Sequence, residues 1–155
     1  MGVEIERKFL VNQEIWQQLE KPNGVHYHQG YIPSDDSCTV RVRIAGERGY
    51  LTLKGKTKGF SRKEFEYEIP FADAQEMLNE FTRTGTEKIR YHIAIGTHVW
   101  EVDEFLGPNK GLFVAEIELR DESEPFAIPA WIGEEVTNDR RYANSNLAVH
   151  PFLEW

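Results

Sequence analysis

Val3-Glu4-Ile5-Glu6-Arg7-Lys8-Phe9 alternates with period two: Glu4, Glu6 and Lys8 fall at i, i+2 and i+4, with Val3, Ile5 and Phe9 at intervening positions. Successive side chains of a strand point to opposite faces, so the three charges share one face and the apolar residues the other. The grammar recurs along the chain. Arg41 and Arg43 alternate with Val40, Val42 and Ile44, Lys54 and Lys56 follow Leu51 and Leu53, and Glu64 and Glu66 flank Phe65. Lys88 and Arg90 flank Ile89, Glu101 and Asp103 flank Val102, and Glu116 and Glu118 flank Ile117.

On one or two strands this pattern describes a solvent-washed face of a sandwich. Exposed strands, however, intersperse both signs for solubility, whereas here each pair carries a single sign. The clustering points to charged faces turned inward around a wet lumen. Buried charges cost several kcal/mol each unless paired or coordinated, so such an interior serves a highly charged ligand.

Eight segments carry the alternation: Val3 to Val11, Val25 to Ile32, Thr39 to Ala45, Gly49 to Lys56, Ser61 to Pro70, Thr86 to Ile95, His98 to Phe105 and Leu112 to Arg120. Short glycine-bearing turns at 45–49, 55–59 and 96–97 leave no room for crossover helices, so neighbouring strands run antiparallel. Two helices are expected, Glu14 to Lys21 behind an Asn12 cap and Ala72 to Thr82 with Met77, Leu78 and Phe81 on one face. A last helical turn is expected within Asn144 to Val149. The expected fold is mainly β (α+β), a closed antiparallel tunnel barrel of about eight strands with a few flanking helices. The 155 residues suffice for one domain, 1–155.

Asp and Glu number 26 against 18 Lys and Arg, a net charge of −8, which argues against a duplex nucleic acid partner. The chain has no apolar run of membrane-spanning length and opens straight into charged sequence, so a soluble cytoplasmic protein without a membrane partner is expected. The single cysteine, Cys38, fits a reducing compartment and reads as a small buried filler. Composition leaves the oligomeric state open.

The paired charges specify the ligand. Arg and Lys suit phosphate oxygens, Arg through bidentate contacts, and carboxylate pairs suit hard divalent cations. Mg²⁺ takes oxygen ligands and bridges one or two carboxylates to substrate phosphates. The composite is a site for a chain of phosphoryl groups with Mg²⁺, or alternatively Mn²⁺.

Glu4-Ile5-Glu6-Arg7-Lys8 resembles the ExExK opening of the CYTH superfamily, the triphosphate tunnel metalloenzymes. The resemblance extends through Gln29-Gly30-Tyr31, Arg41-Val42-Arg43, Leu53-Lys54, Glu64 to Glu68, Glu87 to Arg90, Trp100 to Asp103, Gly111-Leu112, Ala115 to Leu119, Gly133 to Thr137 and Arg141 to Asn144. Many members carry Gly and Pro near the C-terminal Arg-Tyr, where this chain has Asn138 and Arg140. The resemblance implies a tunnel that takes a triphosphate and one or two divalent metals, and within the family the chain resembles bacterial inorganic triphosphatases.

With the matched positions, Glu4, Glu6, Glu116 and Glu118 look like main metal ligands, and Asp103, Glu64 and Glu66 like further or water-mediated ones. Lys8, Arg41, Arg43, Lys54, Lys88, Arg90 and Arg141 look like phosphate clamps, with Lys8, Arg41 and Arg43 also acting on the transferring group. Tyr31 corresponds to the family's suggested proton acceptor. A phenol titrates near 10, so that role requires surrounding cations to lower it; the other reading is a hydrogen-bonding tyrosine at the tunnel mouth.

The remaining distinctive residues read blandly. His26, His28, His92 and His98 lack metal-ligand spacing. Arg7 and Lys63 lie on the outer face against solvent, Arg120 falls at the rim or outside, and the four tryptophans are packing residues. Three functions remain: hydrolysis of inorganic tripolyphosphate to pyrophosphate and phosphate, another triphosphate enzyme of the same fold (class IV adenylate cyclase, nucleoside or thiamine triphosphatase), or a non-catalytic polyphosphate-binding module. The short chain, without an insertion to enclose a base, favours the first. The full carboxylate set disfavours the third, since acids repel an anion.

Overall fold

A computed structural model describes residues 2–155. The strands are β1 (Gly2–Val11), β2 (Val25–Ile32), β3 (Cys38–Ala45), β4 (Arg48–Gly55), β5 (Ser61–Ile69), β6 (Thr84–Ile95), β7 (His98–Phe105), β8 (Phe113–Glu118) and β9 (Ile132–Glu135). They hydrogen-bond in the order β5-β4-β3-β2-β6-β7-β8-β1, and β5 pairs again with β1, which closes an eight-stranded antiparallel barrel. The helices are α1 (Gln13–Gln17), α2 (Phe71–Glu80) and α3 (Asn144–Leu147).

β1 closes the barrel by dividing one edge between two partners. Its opposite edge lies against β8 over Glu6–Leu10, while the dividing edge meets β5 over Gly2–Ile5 and β9 at Phe9 and Val11. β9 is absent from the alternation read in the sequence because its four residues include Gly133 and are too few to show a period.

Directly opposed residues share a face, so the registers fix the lumen. Glu6 opposes Glu118, Lys8 opposes Glu116, Glu101 opposes Glu116, Arg90 opposes Asp103, Arg41 opposes Thr52, and Lys54 opposes Glu64. The charged faces therefore point inward, as the single-sign pairs required. Down the bore the character changes from charged to apolar. Leu10, Phe105 and Val114 follow Lys8, Asp103 and Glu116 at the same parity and pack with Val136, Tyr142 and Leu147 of the C-terminal segment, which stoppers that end.

The main hydrophobic core lies outside the barrel. Phe9, Trp100, Val102, Ala115 and Ile117 on the outer faces of β1, β7 and β8 are covered by Trp16 of α1 and by Trp131. Edge-to-face contacts hold the aromatic layer, with centroids 5.5 Å apart for Phe9 and Trp100 and 5.2 Å for Trp16 and Trp131. On the far side α2 seats Ala74 and Leu78 over Val42. Gly49 permits that seat, since a Cβ there would stand 2.6 Å from the Ala74 methyl.

α1 stops at Gln17, short of the expected Lys21. Pro22 disfavours helix at the residue before it, and the Lys21 ammonium turns back to cap the carbonyls of Trp16 and Leu19. Asn12 caps its start as expected, accepting from the Ile15 amide. Lys56 lies beyond β4 and is exposed, so only Lys54 of that pair enters the barrel. Among the described residues no helix is long and apolar enough to cross a membrane.

Candidate active site

The bore holds a cavity of about 160 Å³ walled almost entirely by polar side chains. Glu4, Glu6 and Lys8 come from β1, Tyr31 from β2, Arg41 and Arg43 from β3, and Lys54 from β4. Glu64 and Glu66 come from β5, Arg90 from β6, and Glu116 and Glu118 from β8. These are most of the residues expected at the site, gathered from seven strands.

The carboxylates divide into satisfied and crowded groups. Glu4 receives Lys54 Nζ at 3.1 Å and Arg62 Nε at 3.2 Å. Burial opposes its charge, but Lys54, a hydrogen bond from Glu64 and the Arg62 guanidinium outweigh it and bring its carboxyl to about 2. Glu64 also meets Lys54 at 3.1 Å, yet burial and the neighbouring Glu4 raise it to about 6. Glu6 is the strained member: burial, then Glu116 and Glu4, push it up to about 8 against the weaker pull of Lys8. Burial together with the Glu4 and Glu101 charges also raises Glu118. Glu116 is held well below the ordinary range, because Lys8, Arg90 and Lys88 overcome its burial.

Opposed carboxylates with raised pKa values form a donor set that a divalent cation would relieve, and their hard oxygens suit Mg²⁺ or Mn²⁺. Among the described residues no three acidic, histidine or cysteine groups close into a ready-made cage. The set therefore fits a cation that completes its coordination with substrate oxygens and water.

The cations face the same space. Arg41 Nη2 donates to Thr52 Oγ1 and Glu66 Oε1, each at 3.3 Å, while its buried Nε has no partner. Arg43 Nε donates to Gln29 Oε1 at 2.9 Å, and the guanidinium lies over the Tyr27 ring. Burial, with Arg41 and Arg90 nearby, lowers Arg43 to about 10. Lys8 Nζ reaches the Tyr142 carbonyl at 3.4 Å. Among the described residues neither Lys8 nor Arg43 has a carboxylate within ion-pair distance.

Three expected site residues stand elsewhere. Asp103 is completely buried beneath the cavity, with Oδ1 and Oδ2 taken by Arg90 at 2.7 and 2.8 Å and Oδ2 also by Lys88 at 2.7 Å; both oxygens are committed to these cations and the residue does not line the cavity. Lys88 is likewise cut off from the cavity, donating to Asp103 and, at 2.9 Å, to Asn144 Oδ1. Burial is the largest influence on its ammonium; Asp103 opposes it and Arg90 and Arg43 reinforce it, leaving Lys88 at about 7. Arg141 lies outside the barrel, clasped by Asp139 at 2.7 Å and stacked 5.1 Å from the Trp155 ring.

Other residues enter the site without having been singled out for it. Arg62 lines the cavity beside Glu4, and its parity with Glu64 and Glu66 was the available signal. Glu101 joins the wall and binds Arg90 Nη1 at 3.2 Å. Thr39, Ala143, Asn144 and Ser145 complete it, the last three because the C-terminal segment folds back into the bore. Arg7 and Lys63 point outward as expected, but Arg7 is engaged by Glu135 at 2.6 Å and by the Phe60 and Phe126 rings. His98 pairs with Glu124 at 2.7 Å.

Comparison with known proteins places these features among relatives. The family profile described as the CYTH domain matches residues 2–148. An inorganic triphosphatase from Acetivibrio thermocellus is 51% identical over 153 residues, covering 98% of this chain and 97% of the relative. One from Nitrosomonas europaea is 35% identical over 150 residues, covering 94% and 97%. The crystal structure of an inorganic triphosphatase superposes with a TM-score of 0.65 at 32% identity, covering 94% of this chain and 97% of that one.

Proposed function

Because the chain belongs to the CYTH domain family, we propose that it is an inorganic triphosphatase that hydrolyses tripolyphosphate to pyrophosphate and phosphate in the barrel lumen. The observation that carries this reading is the pairing, in one cavity, of cations lacking carboxylate partners with carboxylates crowded against one another. The first group calls for a multiply charged anion and the second for a divalent cation.

Lys8, Arg41, Arg43, Lys54, Arg62 and Arg90 hold the phosphate oxygens, and Arg41 and Arg43 spread the charge of the transferring group across planar guanidinium donors. Tyr31 presents its hydroxyl to the same phosphates. Glu6, Glu116 and Glu118, with Glu4, Glu64 and Glu66 near them, would hold Mg²⁺ or Mn²⁺. That cation supplies Lewis-acid neutralisation of the phosphoryl oxygens. Asp103 and Lys88 work from behind, fixing Arg90 and the floor of the site.

Hydrolysis forms a bond from water oxygen to phosphorus as the anhydride P–O bond breaks, with the electron pair leaving on pyrophosphate. Phosphoryl transfer of this kind depends on positioning and electrostatics, which the cationic wall provides. The free Cys38 fits a cytoplasmic setting.

Phosphate and pyrophosphate release from tripolyphosphate, compared with ATP and thiamine triphosphate in Mg²⁺ and in chelator, tests the proposal. Turnover of tripolyphosphate that stops in chelator is expected. Preference for either organic triphosphate would replace this substrate assignment.

A further inference from the structure

Gln29 is fully buried in the barrel wall, and both ends of its amide are engaged. Arg43 Nε donates to Gln29 Oε1 at 2.9 Å. A guanidinium has hydrogens and no lone pair to offer, so the Gln29 atom facing it must be the oxygen. The amide nitrogen is thereby turned towards Tyr31, donating to its hydroxyl oxygen at 3.1 Å, and towards Asn144 Oδ1 at 3.4 Å. Lys88 continues the same sense from the other side, its Nζ donating to Asn144 Oδ1 at 2.9 Å. The Arg43 guanidinium thus sets the direction of the Gln29 bonds, and the bond from Lys88 to Asn144 agrees with it.

The direction matters at Tyr31, which lines the cavity. Its oxygen accepts from Gln29, which leaves its proton free to turn into the cavity. A phosphate oxygen there would receive a short charge-assisted O–H···O⁻ bond. We infer that Gln29 is a positioning residue that holds the Tyr31 oxygen and turns its proton towards the triphosphate as a hydrogen bond. The inference rests on the tripolyphosphatase reading of the cavity.

Gln29→Glu reverses the polarity. The carboxylate still accepts from Arg43, but its second oxygen now accepts the Tyr31 proton and turns it away from the substrate. The test is a double-mutant cycle with Tyr31→Phe, read as tripolyphosphate affinity by calorimetry in metal-free buffer and as kcat/KM with Mg²⁺ across pH. Tyr31→Phe alone should weaken binding about tenfold or more, as for a hydrogen bond to a charged group. On the Gln29→Glu background the same change should cost less than about twofold, because the proton is already diverted. If another group or the solvent takes the proton from water, the rise of kcat/KM with pH that would report a base should survive Tyr31→Phe.

Equal Tyr31→Phe penalties on both backgrounds, or loss with the hydroxyl of the rise in kcat/KM with pH, would overturn the inference. If Gln29→Glu does not fold, Gln29→Met, which keeps the length of the side chain and removes the amide donor, releases the Tyr31 hydroxyl to rotate and should shrink the Tyr31→Phe penalty, and an undiminished penalty would overturn the inference. A wild-type protein that binds tripolyphosphate without hydrolysing it would defeat the catalytic reading, while the binding cycle would still decide whether Tyr31 donates.

Discussion

Lys88 Nζ and Asp103 Oδ2 lie 2.7 Å apart, and solvent reaches neither side chain. The same carboxylate is gripped by Arg90 through both of its oxygens, so one buried anion supports two buried cations. Removing one partner of a buried pair leaves an uncompensated charge, at a cost of about 3–5 kcal/mol. Asp103→Asn should therefore lower stability by that order in urea unfolding of metal-free protein. A variant of wild-type stability that loses only metal affinity would return Asp103 to the ligand set.

Glu118 should behave in the opposite way. Burial and its neighbours Glu4 and Glu101 raise its pKa, so its charge is disfavoured in the fold. Glu118→Gln should leave the metal-free protein as stable as wild type or more so in thermal melts. It should also abolish the added stability conferred by Mg²⁺ and reduce kcat by at least about a hundredfold, as expected for a ligand to the cation. Undiminished Mg²⁺ stabilisation would remove Glu118 from the cation site.

Arg62 and Arg141 form a contrasting pair for kinetics. Arg62 lines the cavity, whereas Arg141 is clasped by Asp139 outside the barrel. Arg62→Ala should cost about 1–3 kcal/mol in kcat/KM, the worth of a charged hydrogen bond, and Arg141→Ala should leave kcat/KM within about twofold of wild type. The reverse ranking would mean that the C-terminal segment swings Arg141 inward during turnover.

Parity was legible in the sequence; depth was not. Single-sign pairs such as Arg41 and Arg43 identified the lumen face of the barrel strands other than β2, and the registers bear that out. Period two does not say how far down the bore a residue sits. Glu101, Asp103 and Phe105 share one face of β7, yet they lie in the cavity wall, beneath the cavity and in the apolar stopper respectively. The place of Arg141 depends on how the tail folds back after Val136, a tertiary event with no local period. Asn144 fell within a recognised stretch, but only that fold-back brings it beside Lys88.

The outer clasp of Arg7 and Glu135 gives a pH signature away from the site. The hydrogen bond from Arg7 is the main reason the Glu135 carboxyl lies below its ordinary value. A depressed carboxyl contributes stability above its unfolded pKa, near 4.3, and loses it as pH falls through the lower folded value. Glu135→Gln should therefore destabilise by up to about 1 kcal/mol at pH 7, a figure discounted because the pair is partly exposed, and by progressively less below pH 4. Thermal melts from pH 3 to 7 would show the two curves converging on the acid side. A constant gap would assign the effect to packing against Phe60 and Phe126 instead.

The divided edge of β1 also bears on the chain's synthesis. The earliest of the barrel's strands to be synthesised pairs with residues 61–64, 114–118 and 132–135, so its edges are not filled until residue 135 has been made. An unpaired strand is a template for pairing with the wrong chain, and inward-pointing charges are a recognised way of discouraging it. Glu4, Glu6 and Lys8 place such charges at alternate positions along β1. The residues assigned to binding metal and phosphate in the finished barrel thus also guard its first strand while the rest of the molecule is being made.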